Sequence, residues 1–269
     1  MLIHYGYEIT ITCPRRTALV CQLSVHDDRV GDIRGPEKLV TTPSVPTSTY
    51  RDLFGNTCLR LVAPVGDLTI LGDGTIVDDG LPDPVVPDAR ELPVPELPDA
   101  CLVYLNGSRY SETDSMSQIA WDLFGALPPG WSRVQAISDF VHNHIRFDYS
   151  LARATRTARE AFEERIGVCR DFAHLMLTFC RCLNIPARYV NGYMGDIGVP
   201  VSADPMDFSA WVEVFLGGEW HTFDPRNNKR RIGRIVVARG RDAADIPLVN
   251  SFGPHILKGF RVWTDEVVS

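Results

Sequence analysis

Six prolines crowd the stretch between residues 82 and 98: Pro82, Pro84, Pro87, Pro93, Pro95 and Pro98. Each removes a backbone donor and locks φ, so no helix and no central strand can run through them. Residues 82–100 therefore read as an extended, Pro-rich connector. The character of the chain changes across it. Residues 1–81 read as an N-terminal β domain, and residues 101–269 as an α+β core.

Within the first part, Leu19, Cys21, Leu23 and Val25 alternate with more polar neighbours, the period of a half-buried strand. Gly55-Asn56 marks a turn between Tyr50–Phe54 and Leu59–Val62. Gly72-Asp73-Gly74, between Leu68–Leu71 and Thr75–Val77, predicts a hairpin. Short strands with regular turns suggest a small antiparallel sheet or sandwich.

After the connector, helical spacing takes over at Ser117–Phe124 and at Arg133–Phe147, with a shorter helix from Thr157 to Glu164. A further helix is predicted from Cys169 to Leu183, stopped by Asn184-Ile185-Pro186. It is apolar nearly all round, which predicts a buried, central position. Strand patterns then return at Ala187–Val190, Ala210–Phe215, Glu219–Phe223 and Ile232–Ala238. Helices followed by an antiparallel sheet make an α+β domain.

Composition sets the outer limits. With 45% hydrophobic residues, the chain of 269 can fill a core. Twenty-seven basic against 34 acidic residues leave a charge of −7, which gives a nucleic-acid partner no electrostatic support. No apolar run reaches the ~18 residues of a membrane span. The first residues lack a charged segment followed by an apolar run, so the expected compartment is the cytoplasm. The seven cysteines include no C-x-x-C pair, and no metal or cofactor is expected. Nothing in the sequence speaks to the oligomeric state.

The segment richest in chemistry is Gly167-Val-Cys-Arg-Asp-Phe-Ala-His174. It places Cys169 at the start of the buried helix. Partial positive charge and unpaired N–H groups there favour a thiolate and can hold an oxyanion. Cys180 and Cys182, farther along, lack this end effect and read as core. The second piece is the hairpin from Ser209 to Pro225. A two-residue turn at Gly217-Gly218 pairs Leu216 with Glu219 and sets Trp211 opposite Asp224. Ser209 is then the diagonal neighbour of Asp224 on the same face, and His221 faces the other way, opposite Val214.

Four segments, Gly167–His174, Ala187–Tyr193, Ala210–Val214 and Phe223–Asn228, resemble in content and order the core of bacterial transglutaminase-like proteins. These are cysteine peptidase- or amidase-like proteins of papain-related architecture. The N-terminal β region is similar to the one that often precedes this core. The resemblance implies a papain-like, transglutaminase-like α+β core after a small antiparallel β domain. It implies Cys169 as the nucleophile and Asp224 as the residue that orients a catalytic histidine. That histidine should directly precede Ala210-Trp211, and Ser209 stands there instead. A hydroxyl is a poor base near neutral pH and cannot carry the charge of an imidazolium.

No other histidine is an evident substitute. His174 should face away from Cys169 on the helix. His142 and His144 cannot share one helical face. His4, His26 and His255 are unconstrained; His255, in a tail that can fold over a cleft, is the first to check. Arg230, Arg231, Arg234, Arg239 and Arg241 read as a solvated basic surface. Two functional readings follow. In one, a thiol hydrolase or acyl transferase acts on peptide-like amides or esters through a Cys169 thioester, with Asp224 and Ser209 in a modified relay. In the other, a catalytically silent relative binds a peptide or protein in the cleft.

Overall fold

The computed structural model describes residues 1–201 and 206–267. Its N-terminal region holds β1 (Leu2–Cys13), β2 (Thr17–Cys21), a one-turn α1 (Asp27–Val30), β3 (Ile33–Thr42), β4 (Thr47–Arg51), β5 (Thr57–Ala63) and β6 (Gly66–Val77). The central region follows with α2 (Asp99–Leu102), α3 (Thr113–Phe124), α4 (Trp131–His144), β7 (Arg146–Phe147), α5 (Ala158–Glu164), β8 (Ile166–Gly167) and α6 (Cys169–Cys182). The chain ends with β9 (Ala187–Tyr193), β10 (Ser209–Leu216), β11 (Glu219–Phe223), β12 (Ile235–Gly240), β13 (Val249–Ser251) and β14 (Ile256–Glu266).

The α+β class is as expected. Helix α6 is buried almost along its whole length and packs against β9, β10, α3, α4 and α5. The sheet beneath it runs in the order β11-β10-β9-β12, all antiparallel. In the hairpin, Leu216 pairs with Glu219 and Val214 with His221, the register that the Gly217-Gly218 turn predicts. Both glycines have positive φ, 63° and 97°.

The hairpin expected at Gly72-Asp73-Gly74 does not form. β6 runs unbroken from Gly66 to Val77 and pairs with β1 from end to end. The glycines serve packing instead. A Cβ on Gly72 would lie 2.3 Å from the Tyr7 ring, and one on Gly74 would lie 2.7 Å from the Tyr5 hydroxyl. The missing side chains make room for two cross-strand tyrosines.

The chain's last strands return to its first. β14 joins the sheet β14-β1-β6-β3, and β13 joins β13-β2-β5-β4. Residues 249–266 thus complete the N-terminal sheets, whereas a boundary at 101–269 groups them with the core. Nor does the connector hang free. Ala89 accepts from the Trp131 N–H at 3.0 Å, Arg90 accepts from Gly217 at 2.8 Å, and Glu91 pairs with Arg133 at 3.0 Å. Buried residues of both regions, Ile3 and Tyr5 with Leu175 and Phe179 among them, belong to one continuous hydrophobic cluster.

Candidate functional site

Cys169 is the first residue of α6, and an ion network fixes the start of that helix. Asp171, fully buried, accepts the Val168 N–H through Oδ2 at 2.9 Å, and the same oxygen meets Arg156 at 3.0 Å. Gly167 is needed because a Cβ there would stand 2.7 Å from the Asp171 Cβ. Of the seven cysteines, all free thiols, Cys169 is the half-buried one and the other six are buried. It lies where two cavities meet. The smaller, of 150 Å³, includes Met194, Asp207, Ser209 and Arg226. The larger, of 670 Å³, includes Tyr110, Arg170, Tyr189, Asn191, Asp207 and Ser209.

Cys169 and Ser209 are therefore together, on the walls of both cavities. The thiol is not activated. Burial and the nearby Asp207 carboxylate push its pKa up to about 11, against the smaller opposing pull of the Ala210 N–H, the Arg226 cation and the Arg170 N–H. The helix-end effect expected from the sequence is present but outweighed. Asp207 itself is a carboxyl raised by burial, offset only in part by the N–H of Phe208, which it accepts at 2.6 Å. The sequence reading missed Asp207; its place two residues before Ser209 was the available signal, since alternate residues of an extended segment share a face.

Asp224 is buried at the end of β11 and turned to other work. Its Oδ2 accepts from Arg234 Nη2 at 2.9 Å and from Asn227 Nδ2 at 2.8 Å, and its Oδ1 accepts from the Asn227 N–H at 3.0 Å. Burial alone would raise this carboxyl; the Arg234 guanidinium and the Asn227 bonds outweigh it and hold it below the usual carboxylate range. Arg234 also reaches Asp83 of the connector, Nε to Oδ2 at 3.0 Å, and lies 4.9 Å over the Trp211 ring. Asp224 lines neither cavity at Cys169.

This overturns the reading of the basic run as a solvated surface. Arg231 and Arg234 are buried, and Arg231 donates to the Gly195 carbonyl at 2.8 Å and pairs with Asp196. Arg239 pairs with Glu213 at 2.9 Å, and Arg241 with Asp245 at 2.9 Å. Five arginines spaced along a loop and strand say nothing locally about the acids waiting on other elements.

Among the described residues, no histidine lines either cavity. His174 is sealed inside the core, stacked on Tyr110, and accepts the Ala243 N–H through Nε2 at 3.2 Å. Burial, aided by Arg170 and Arg181, keeps its pKa well below the ordinary imidazole value. His142 meets the Pro225 and Arg226 carbonyls, His144 the Phe162 carbonyl, and His221 the Leu216 carbonyl. His4 pairs with Asp73 and His26 with Arg239. His255, exposed between β13 and β14, lies 2.7 Å from the Ser251 hydroxyl and not over the cleft. No group of three or more potential metal ligands occurs among the described residues, and no helix there is long and apolar enough to cross a membrane.

Comparison with known proteins places this geometry. Residues 118–225, which contain Cys169, Ser209 and Asp224, match the family model of the transglutaminase-like superfamily. An uncharacterized protein of Mycobacterium leprae is 25% identical over 231 residues, 78% of this chain and 77% of that one. A Mycobacterium tuberculosis relative, also uncharacterized, is 28% identical over 222 residues, 74% and 70% of the two chains. The crystal structure of a "Putative Cysteine Protease" from Cytophaga hutchinsonii superposes with a TM-score of 0.86 at 27% identity, over 100% of this chain and 91% of that one. The likeness thus extends past the matched core to the N-terminal sheets and the strands that close them. Residues 118–225 of this chain therefore carry a transglutaminase-like core, within a whole-chain architecture similar to that of the Cytophaga protein.

Proposed function

We propose that this chain uses its transglutaminase-like cleft to bind a peptide or protein segment, with Cys169 held as a neutral thiol and amide hydrolysis silenced. The superfamily's general chemistry is that of thiol hydrolases and acyltransferases. Three parts are needed for it: an activated sulfur, a base that returns a proton to the leaving amine, and an acid that orients the base. One observation carries the silent reading. Among the described residues, no imidazole borders the Cys169 cavities, and burial together with the Asp207 carboxylate outweighs the pull of Arg226 and the Arg170 N–H toward the thiolate. Asp224, the residue expected to orient a histidine, is committed to Arg234 and Asn227. Ser209 offers neither a base nor a cation in the place of the missing ring.

A second reading has its own support. The Ala210 and Arg170 N–H groups both act on the Cys169 sulfur, and the residue remains open to two cavities. That environment favours acyl transfer from an activated ester or thioester. The thiolate adds to the carbonyl, the good leaving group departs without needing a proton, and water or an amine then takes the acyl group.

Assays on paired p-nitroanilide and p-nitrophenyl ester substrates separate the two. The silent reading expects the wild type to leave both intact, and Ser209→His not to restore Cys169-dependent anilide hydrolysis while Asp224 stays committed to Arg234 and Asn227. Cys169-dependent anilide hydrolysis by the wild type would overturn the silent reading. Cys169-dependent turnover of the ester alone would establish the second.

A further inference from the structure

The 670 Å³ cavity beside Cys169 has three kinds of wall. One is apolar, from Ile246, Pro247 and Leu248. A second is aromatic: Tyr110 and Tyr189 line the space, and both rings pack on His174, which keeps them in place. The third is polar, and its groups are incompletely used. Asn191 is only 7% exposed, borders the cavity, and makes no side-chain hydrogen bond among the described residues. An amide that lines a cavity offers one donor group and one acceptor to whatever enters it.

Arg170 stands nearby with its guanidinium 5.7 Å from the Tyr110 ring centre. Its Nε–H is buried and has no acceptor, and its Nη2 donates to the Arg153 carbonyl. The carboxylate oxygen paired with it, Asp171 Oδ1, is 3.6 Å away, while the other oxygen of that carboxylate serves Arg156 and Val168. Arg153, also on the wall, is already balanced by Glu160 at 2.9 Å and Glu164 at 2.8 Å. Asp207 is the acidic residue lining the cavity, and it belongs to the Cys169 and Ser209 side.

We infer that this cavity takes a segment of an acidic peptide, with the Arg170 guanidinium receiving a side-chain carboxylate and the Asn191 amide bonding the peptide backbone. The inference rests on the peptide-cleft reading above and adds the chemical class of the ligand. An Arg fork is suited to a carboxylate, and an Asn amide, donor and acceptor at once, is suited to a peptide group. The tyrosine and aliphatic walls hold the residues on either side.

The test is calorimetric titration with two blocked dipeptides, acetyl-Tyr-Glu-amide and acetyl-Tyr-Gln-amide, which differ by one charge. The wild type should bind the Glu peptide about tenfold more tightly, as expected for one charge-assisted bond. Arg170→Gln should erase that preference, Arg170→Lys should keep part of it, and Asn191→Ala should weaken both peptides alike. Equal binding of the two by the wild type, or a preference that survives Arg170→Gln in a folded variant, would overturn the inference while leaving the cleft a peptide site. Failure of the wild type to bind either peptide at millimolar concentration would remove the peptide-cleft reading with it.

Discussion

Two carboxylates of the core, Asp224 behind the cleft and Asp207 on its wall, have opposite fates. Asp224, where the family resemblance calls for an orienting acid, is satisfied by an arginine and an asparagine and stays ionised. Asp207, which no motif singles out, faces the Cys169 thiol and is raised by burial. The residue suited to assist catalysis has become part of an ion network that ties β11 to the connector. The residue that borders the sulfur acts against its ionisation. A site can thus keep its nucleophile's position while its electrostatics run the other way.

The largest expected effect breaks the Asp224 side. Arg234→Met leaves buried Asp224 and half-buried Asp83 without their cation. Loss of about 3–5 kcal/mol is expected, read from urea unfolding. An unchanged midpoint would show that the network is not structural.

Acid titration sharpens the contrast. Because the folded-state pKa of Asp224 is depressed, its contribution is fully present above the unfolded value of about 3.9 and is lost as pH falls through the folded one. Asp207 is the reverse. Its folded pKa is raised, so its contribution is present below about 3.9 and is lost as pH rises through the folded value. Asp224→Asn should therefore flatten the acid limb of a stability–pH curve, and Asp207→Asn should raise stability near neutral pH. Asp207→Asn should also speed Cys169 alkylation at pH 8 by about two- to fivefold, because it removes one charge that disfavours the thiolate. Identical curves for the two variants would erase the distinction between the carboxylates.

How much of this was legible in the sequence depends on range. Helix α6 and the β10–β11 register are local: continuous apolar spacing and a two-glycine turn specify them without outside help. The role of Gly72 and Gly74 is not local, because it depends on tyrosines from β1 lying across them. Pairing of β14 with β1 joins the ends of the chain, beyond the reach of any periodicity. The burial of Arg231 and Arg234 follows the same rule, since their acids sit on the connector, the β9–β10 segment and the end of β11. At the site, Cys169 and Ser209 were found by motif and by the gap in it, and they do share both cavities. Asn191 and Arg226 lie inside the matching segments but were given no role there, and Asp207 lies outside them; the fold brings all three to the cavities at Cys169.

The central claim, that Cys169 is a neutral thiol without a base, is tested most directly by its alkylation rate across pH. Iodoacetamide labelling, followed by the mass of the peptide containing Cys169, should rise about tenfold per pH unit from pH 7 to 9 and reach no plateau by pH 10, in keeping with a pKa of about 11. A rate that levels off below pH 7 would reveal a thiolate already formed near neutrality and would contradict the account.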